Sequence, residues 1–218
     1  MNTGNRTRRY TLFGFAALVA GLFFPRKSAA AGLTPSATEG PFYPRPSMRL
    51  ADADNDLVKI VGLVREAGGE VITLKGKVTN EVGSPLARLR VEIWQCDMNG
   101  KYLHPGDNRS VARDQGFQGF GHDTTGHNGH YRFRTIKPTR YPGRTPHIHV
   151  KILENDRELL TTQFYLKGHP GNNRDGLYRR MTATQAESVS MELVEGPNGP
   201  EATVNVVVKP GQPVALAK

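Results

Sequence analysis

The chain has 218 residues, with 29 Lys plus Arg against 20 Asp plus Glu, a formal net charge of +9. Five of the basic residues and none of the acidic ones fall in the first 31, which leaves 24 against 20, a net +4, over residues 32–218. These charges are interspersed, so a nucleic-acid binder built on a basic patch is excluded, and the single cysteine, Cys96, excludes an internal disulfide.

Residues 1–31 read as a cleavable export signal. Arg8 and Arg9 precede an uncharged apolar stretch from Tyr10 to Pro25, followed by Arg26, Lys27 and the small-residue run Ser28 to Ala31. The stretch is short for a bilayer span, so no stable membrane anchor is expected. The paired arginines suggest the twin-arginine route, although Thr11 stands where that signal usually has a bulky apolar residue. The expected destination is periplasmic or extracellular, in a bacterium. Residues 32–218 are then long enough to bury one core as a single domain.

Beyond the leader the chain reads as all-β. Val71 to Thr79 alternates, Asn80 to Pro85 supplies turn chemistry, and Leu89 to Cys96 alternates again. Tyr131 to Ile136, His147 to Leu153, Leu159 to Leu166, Val189 to Val194 and Ala202 to Val208 are five further strand candidates. Seven short strands separated by turn residues predict a two-sheet β-sandwich with long active-site loops and little helix. A turn or two of helix fits Asp52 to Ala67 and the stretch around Thr182 to Glu187. Asp97 to Asn128 is poor in apolar residues and carries six glycines, too irregular for strand or helix, and is read as a long functional loop. Cys96 reads as a small buried filler. His104, His122 and His127 read as solvated loop residues without a metal role.

His147 and His149 lie in the run HIHVKIL, bounded upstream by Pro142, Gly143 and Pro146. A strand has period two, so both imidazoles leave one face and can converge on a point. Taken alone, the pair also suits the polar face of an exposed strand. Tyr102 and Tyr141 nearby narrow the choice of metal. A phenol with a reference pKa of about 10 ligates at neutral pH only to a cation acidic enough to remove its proton. Two tyrosines with two imidazoles therefore point to Fe(III) rather than zinc, and the lack of a carboxylate argues against the iron(II) facial triad.

Together with these four residues, the segments TPSATEGPFYP (Thr34 to Pro44), VEIWQCDMNGKY (Val91 to Tyr102), GHYRFRTIKPTRYPGRTPHIHV (Gly129 to Val150) and TTQFYL (Thr161 to Leu166) carry a resemblance. In that order, the chain resembles the intradiol ring-cleavage dioxygenases, most closely the protocatechuate 3,4-dioxygenase branch. The resemblance implies a five-coordinate Fe(III) with Tyr141 and His147 axial, Tyr102 and His149 equatorial, and a hydroxide completing the shell. A catechol would chelate the iron, displacing Tyr141 as a neutral phenol, and O2 would attack the ring, opening it between the two hydroxyl-bearing carbons to a muconate-type diacid. Tyr141 is thus implied to be both ligand and base, Arg144 to stabilise developing ring charge, and Gln163 to orient the reacting groups. Thr38, Gly40 and Pro41 match the segment that lines the substrate pocket, and no organic cofactor is implied.

Two departures bear on the substrate. The connection from Tyr141 to His147 is shorter than in the protocatechuate enzymes, and Gly143 stands where those enzymes place a tryptophan, so a more open or differently shaped mouth is expected. The match begins almost at the leader, without the helical amino-terminal dimerisation domain of the catechol 1,2-dioxygenases. All four ligands and the pocket segment lie on one chain, which suits a homo-oligomer. Two other readings remain open at this point. One is an exported, non-catalytic β-sandwich module of transthyretin-like type that binds a partner. The other is a zinc or copper enzyme using His147 and His149 alone.

Overall fold

The computed structural model describes Met1 and residues 31–211. The expected leader, 1–31, lies outside the described residues except at its two ends. The Ala31 amide donates to the Glu81 carbonyl at 2.9 Å and the Thr34 amide to Val207 at 3.0 Å, so the chain is tied to the sheets from there on.

Among the described residues ten strands form two five-stranded sheets, the two-sheet architecture that the seven candidate strands predict. In the first sheet β1 (Val71–Thr79) is central, with β4 (His130–Ile136) antiparallel along one edge. Its other edge takes β9 (Gly199–Thr203) and then β10 (Val206–Val207), both parallel, and β8 (Leu193–Gly196) pairs with β9. The second sheet runs β3 (Phe120–Thr124), β2 (Arg90–Trp94), β5 (His147–Glu154), β6 (Arg157–Leu166), β7 (Ser190–Met191). Between the sheets Leu74, Phe133, Ile93, Ile148, Val150 and Phe164 are all fully buried, and removal of such side chains from water is the main stabilising term. Gly76, in mid-β1, is required: a Cβ there would stand 1.8 Å from the Val204 carbonyl oxygen.

Three segments differ from expectation. Phe120–Thr124 is a strand, although the stretch Asp97 to Asn128 reads as irregular. Its pairing supplies what its composition lacks: five register pairs with β2, from Arg90↔Thr124 to Trp94↔Phe120, and a 2.8 Å bond from the His122 amide to the Asp54 carbonyl. His122 is therefore a strand residue rather than a loop one. Second, the candidate strand Val189 to Val194 divides between sheets, because β7 extends the second sheet beside β6 while β8 joins the first. The candidate Ala202 to Val208 likewise divides between β9 and β10. Third, Asp52 to Ala67 forms turns rather than helix. Asp52, Asp54 and Asp56 accept from the amides of Val61, Asp56 and Val58 at 2.6, 2.8 and 3.2 Å, local bonds that compete with helix. The helix expected near Thr182 is present as α1 (Ala183–Ser188), started by a capping box between Thr182 and Gln185. Among the described residues no helix is long and apolar enough to cross a membrane.

Candidate metal centre

Strand register assembles the floor of the site. Trp94 pairs with His149, His149 with Gln163 and His147 with Tyr165, so five chemically active side chains lie on one face of the second sheet, the face turned away from the sandwich core. The His147 and His149 rings have centroids 4.7 Å apart, and Trp94 stacks on His149 at 4.8 Å with an interplanar angle of 11°.

Two loops bring the tyrosines over this floor. Tyr102 follows a tight turn in which the Asp97 carboxylate accepts from the Asn99 and Lys101 amides at 2.8 and 3.0 Å. Gly100 has φ +74°, and a Cβ there would lie 2.7 Å from the Arg140 carbonyl oxygen, so this glycine lets the two tyrosine loops touch. The rings of Tyr102 and Tyr141 meet edge to face at 5.4 Å; Tyr141 lies 5.6 Å from His147 and Tyr102 6.2 Å from His149. Buried Asp107 accepts from the Tyr102 amide at 2.9 Å and pairs with Arg109, whose guanidinium sits 5.9 Å from the Tyr141 ring centre. Thus the four residues singled out from the sequence converge.

Their protonation suits ligation of an acidic cation. The His147 Nδ1–H donates to the Thr145 carbonyl at 2.7 Å, which leaves the Nε2 lone pair free, and that atom lies 3.1 Å from His149 Nε2. Burial, reinforced by the charge of Arg144, pushes His147 down to about 4, and burial, with the charges of His147 and Arg144, holds His149 well below the usual imidazole range. Both rings are therefore neutral. Burial pushes the Tyr102 phenol well up, and raises Tyr141 against the opposing charge of Arg144. The Tyr102 hydroxyl and His149 Nδ1 are buried without a hydrogen-bond partner, a cost a folded protein rarely leaves uncompensated. Neutral imidazoles and phenols that only a strong Lewis acid can ionise fit ferric iron. No group of three or more His, Cys, Asp or Glu suited to a metal occurs among the described residues.

Arg144 links the centre to its surroundings. It donates to Asp175 Oδ2 at 2.8 Å and to Gln163 Oε1 at 2.5 Å, and it approaches the Tyr141 and Tyr165 hydroxyls at 3.4 Å. Gln163 in turn accepts from the Tyr165 hydroxyl at 2.8 Å and donates to the Thr38 carbonyl at 3.0 Å. Asp175, which the sequence reading missed, is 1% exposed and also accepts from the amides of Thr145, Leu177 and Tyr178 at 3.0, 3.0 and 3.1 Å. Burial alone would raise its carboxyl, but Arg144 and the Thr145 and Tyr178 amides hold it below the ordinary range.

The Thr38 to Tyr43 segment forms the lid. Gly40, with φ +76°, comes so close that a Cβ would stand 3.4 Å from His149 Cε1, Phe42 stacks on Tyr102 at 4.7 Å, and Pro41 is exposed at the turn. The lid is anchored by Lys151, the next residue on the His147–His149 face. Its buried ammonium pairs with Glu39 and lies 3.8 Å from the Tyr43 ring centre. Phe42, Trp94, Tyr165 and Lys151 were not singled out from the sequence, although Trp94, Tyr165 and Lys151 follow from strand register once the pairings are known. His104 accepts from the Gly106 amide at 3.0 Å, His122 lies on β3, and His127 is in an exposed turn. Cys96 is buried, its thiol pushed up to about 11 by burial, which suits the filler reading.

A family model described as dioxygenase matches residues 38–206. The protocatechuate 3,4-dioxygenase beta chain of Burkholderia cepacia is 37% identical over 129 residues, which are 56% of this chain and 55% of that protein. A hydroxyquinol 1,2-dioxygenase of Nocardioides simplex is 27% identical over 164 residues, 66% of this chain and 51% of that one. The chain thus spans about half the length of these curated relatives. Among solved structures, the dioxygenase domain of a dioxygenase carbohydrate-binding fusion from Streptomyces sp. SirexAA-E superposes with a TM-score of 0.62 at 32% identity, covering 84% of this chain and 100% of that one. An intradiol ring-cleavage dioxygenase from Tetranychus urticae shares the fold, with a TM-score of 0.65 at 21% identity over 85% of this chain and 98% of that one. With the family model covering most of its length and the protocatechuate beta chain among its relatives, the chain belongs to the intradiol ring-cleavage dioxygenase family, on the protocatechuate-like branch.

Proposed function

We propose that the protein is an Fe(III) dioxygenase that opens the aromatic ring of a catechol between its two hydroxyl-bearing carbons, placing one atom of O2 in each new carboxyl group of a muconate-type diacid. The observation that carries this reading is the convergence of Tyr102, Tyr141, His147 and His149, with the two Nε2 atoms facing each other and the Tyr102 hydroxyl left without a partner. These four residues would hold the iron. Bound there, Fe(III) supplies the Lewis acidity that draws electron density from a chelated catechol and turns a ring carbon toward attack by O2.

The protein's own groups do the rest. Tyr141, half-buried where Tyr102 is fully buried, would be the donor with room to move, and its oxygen would take up a catechol hydroxyl proton. Arg144 is held by Asp175 and Gln163 beside the Tyr141 hydroxyl, so its fixed charge is already in place when negative charge grows on the ring. Gln163 ties that guanidinium to the lid through the Thr38 carbonyl and so orients the reacting groups. Thr38, Gly40 and Pro41 line the ring's seat, with Gly40 allowing the backbone to approach His149. Phe42 and Trp94 cover Tyr102 and His149 and keep water off the donors.

The test is optical. Iron-loaded protein should be reddish from tyrosinate bound to iron(III), change hue when catechol is added without oxygen, and consume O2 when air is admitted. A colourless iron-replete protein would defeat the reading, and a transthyretin-like binding module or a two-histidine zinc or copper enzyme predicts no such band. Export remains part of the proposal and rests on the leader sequence. Lysines at Arg8 and Arg9 should trap precursor in the cytoplasm if the twin-arginine route is used, and unaltered export would exclude that route.

A further inference from the structure

The lid crosses the second sheet as a strap, and one row of cross-strand neighbours holds it. Thr161, Lys151 and Glu92 are register partners on β6, β5 and β2. At the β6 end the Ala37 amide donates to the Thr161 carbonyl at 2.8 Å. At the β2 end the Tyr43 hydroxyl donates to the buried Glu92 carboxylate at 2.7 Å. In the middle, the Lys151 ammonium pairs with Glu39. The adjoining row, Gln163, His149 and Trp94, is the floor of the metal centre, so the strap's height is set one residue away from the chemistry. Among the described residues the Lys151–Glu39 bond is the one polar link from residues 39–42 to the sheet, since the Gly40 amide turns back to the Thr38 hydroxyl at 3.2 Å. The Lys151 side chain is 6% exposed, and an ammonium is costly to bury without partners. It has Glu39, Glu158 at 3.2 Å and the Tyr43 ring centre at 3.8 Å, and it bonds none of the four proposed iron donors.

We propose that Lys151 and Glu39 form a specificity-determining tie: by fixing the height of Gly40 and Pro41 over the floor, the pair limits the size of the ring substituent that the seat admits. The inference rests on the ring-cleavage reading, because it concerns catechols seated beneath Gly40. With both ends of the strap bonded independently, loss of the central bond frees residues 39–42 alone. Glu39→Gln cuts the tie while Glu158 still pairs with the ammonium, so no charge is left buried by itself. Lys151→Met cuts it from the other side and keeps a long side chain beside Tyr43.

Two measurements test the tie. Hydrogen exchange across residues 38–42, followed by mass spectrometry without iron or substrate, should quicken about three- to tenfold in either variant, the scale of a partly exposed ion pair. Oxygen uptake by the iron-loaded protein should show kcat/KM for 4-tert-butylcatechol, relative to catechol, rising by a similar factor and through KM rather than kcat. The Lys151→Met/Glu39→Gln protein should be altered no more than either single variant, and Lys151→Arg should stay near wild type. Iron content and the resting visible band should be retained. Unchanged exchange, an unchanged substrate ratio, additive effects in the double variant or loss of iron each overturn the proposal. Failure of the ring-cleavage reading looks different: wild type would consume oxygen with neither catechol, and the selectivity would fall with it, whereas quickened exchange with an unaltered ratio strikes the proposal alone.

Discussion

The two faces of β5 have opposite chemistry and are both buried. Toward the other sheet the strand presents Ile148, Val150 and Ile152, each 0% exposed; toward the lid it presents His147, His149 and Lys151, between 1% and 5% exposed. The inner face gains from leaving water, while the outer face incurs a desolvation cost that its partners must offset. For Lys151 the partners are Glu39, Glu158 and the Tyr43 ring; for His147 one is the Thr145 carbonyl. For His149 Nδ1 and the facing Tyr102 hydroxyl none is present, and that imbalance marks the chemical face. A single strand thus serves stability on its even positions and chemistry on its odd ones, and replacements can separate the two.

The largest effect should come from the odd face. His149→Ala should abolish turnover and the visible band together, with iron content falling in elemental analysis while near-ultraviolet circular dichroism still reports a folded core. Full activity in that variant would break the contrast between the faces. On the even face, Ile148→Ala should lower the unfolding free energy by about 2–5 kcal/mol in a denaturant titration, from lost burial and the cavity left behind. Its folded fraction should keep the band at the wild-type wavelength; a shifted band would mean that the two faces are coupled through the backbone. The smallest effect concerns what grips the outer face from beyond the sheet. Asp175→Asn removes the charge that fixes Arg144 and should cut kcat by about 10–100-fold, the usual scale for groups that orient an active residue. Iron content and the resting band should be retained, because Asp175 touches none of the four donors. An equal loss of iron would recast Asp175 as a structural support for the centre.

Legibility in the sequence followed the range of the interaction concerned. The alternation in Val71 to Thr79 and the apolar, β-branched run HIHVKIL named strands correctly, because both signals lie in neighbouring residues. Phe120–Thr124 failed the same test, since Gly121, His122 and Asp123 offer no apolar alternation and the strand exists through its partners Arg90–Trp94. Val189 to Val194 failed for a related reason: the segment is continuously extended, but its two ends pair with different sheets. Asp175 was invisible because nothing local distinguishes a solvated turn aspartate from one that receives a guanidinium from 31 residues away.

That His147 and His149 share a face, that phenol and imidazole donors suit a ferric ion, and to which family the chain belongs were legible from the residues alone. These follow from strand period, acid–base chemistry and the order of short segments, all properties of residues and their near neighbours. It took the folded molecule to show that Tyr102 and Tyr141 reach the histidines from separate loops, that Asp175 and Gln163 hold Arg144 between them, and that Arg140 and Arg174 line a cavity beside Tyr141. Those arrangements depend on long-range packing, in which each contact is stabilised by groups that the chain brings together only once both sheets have closed.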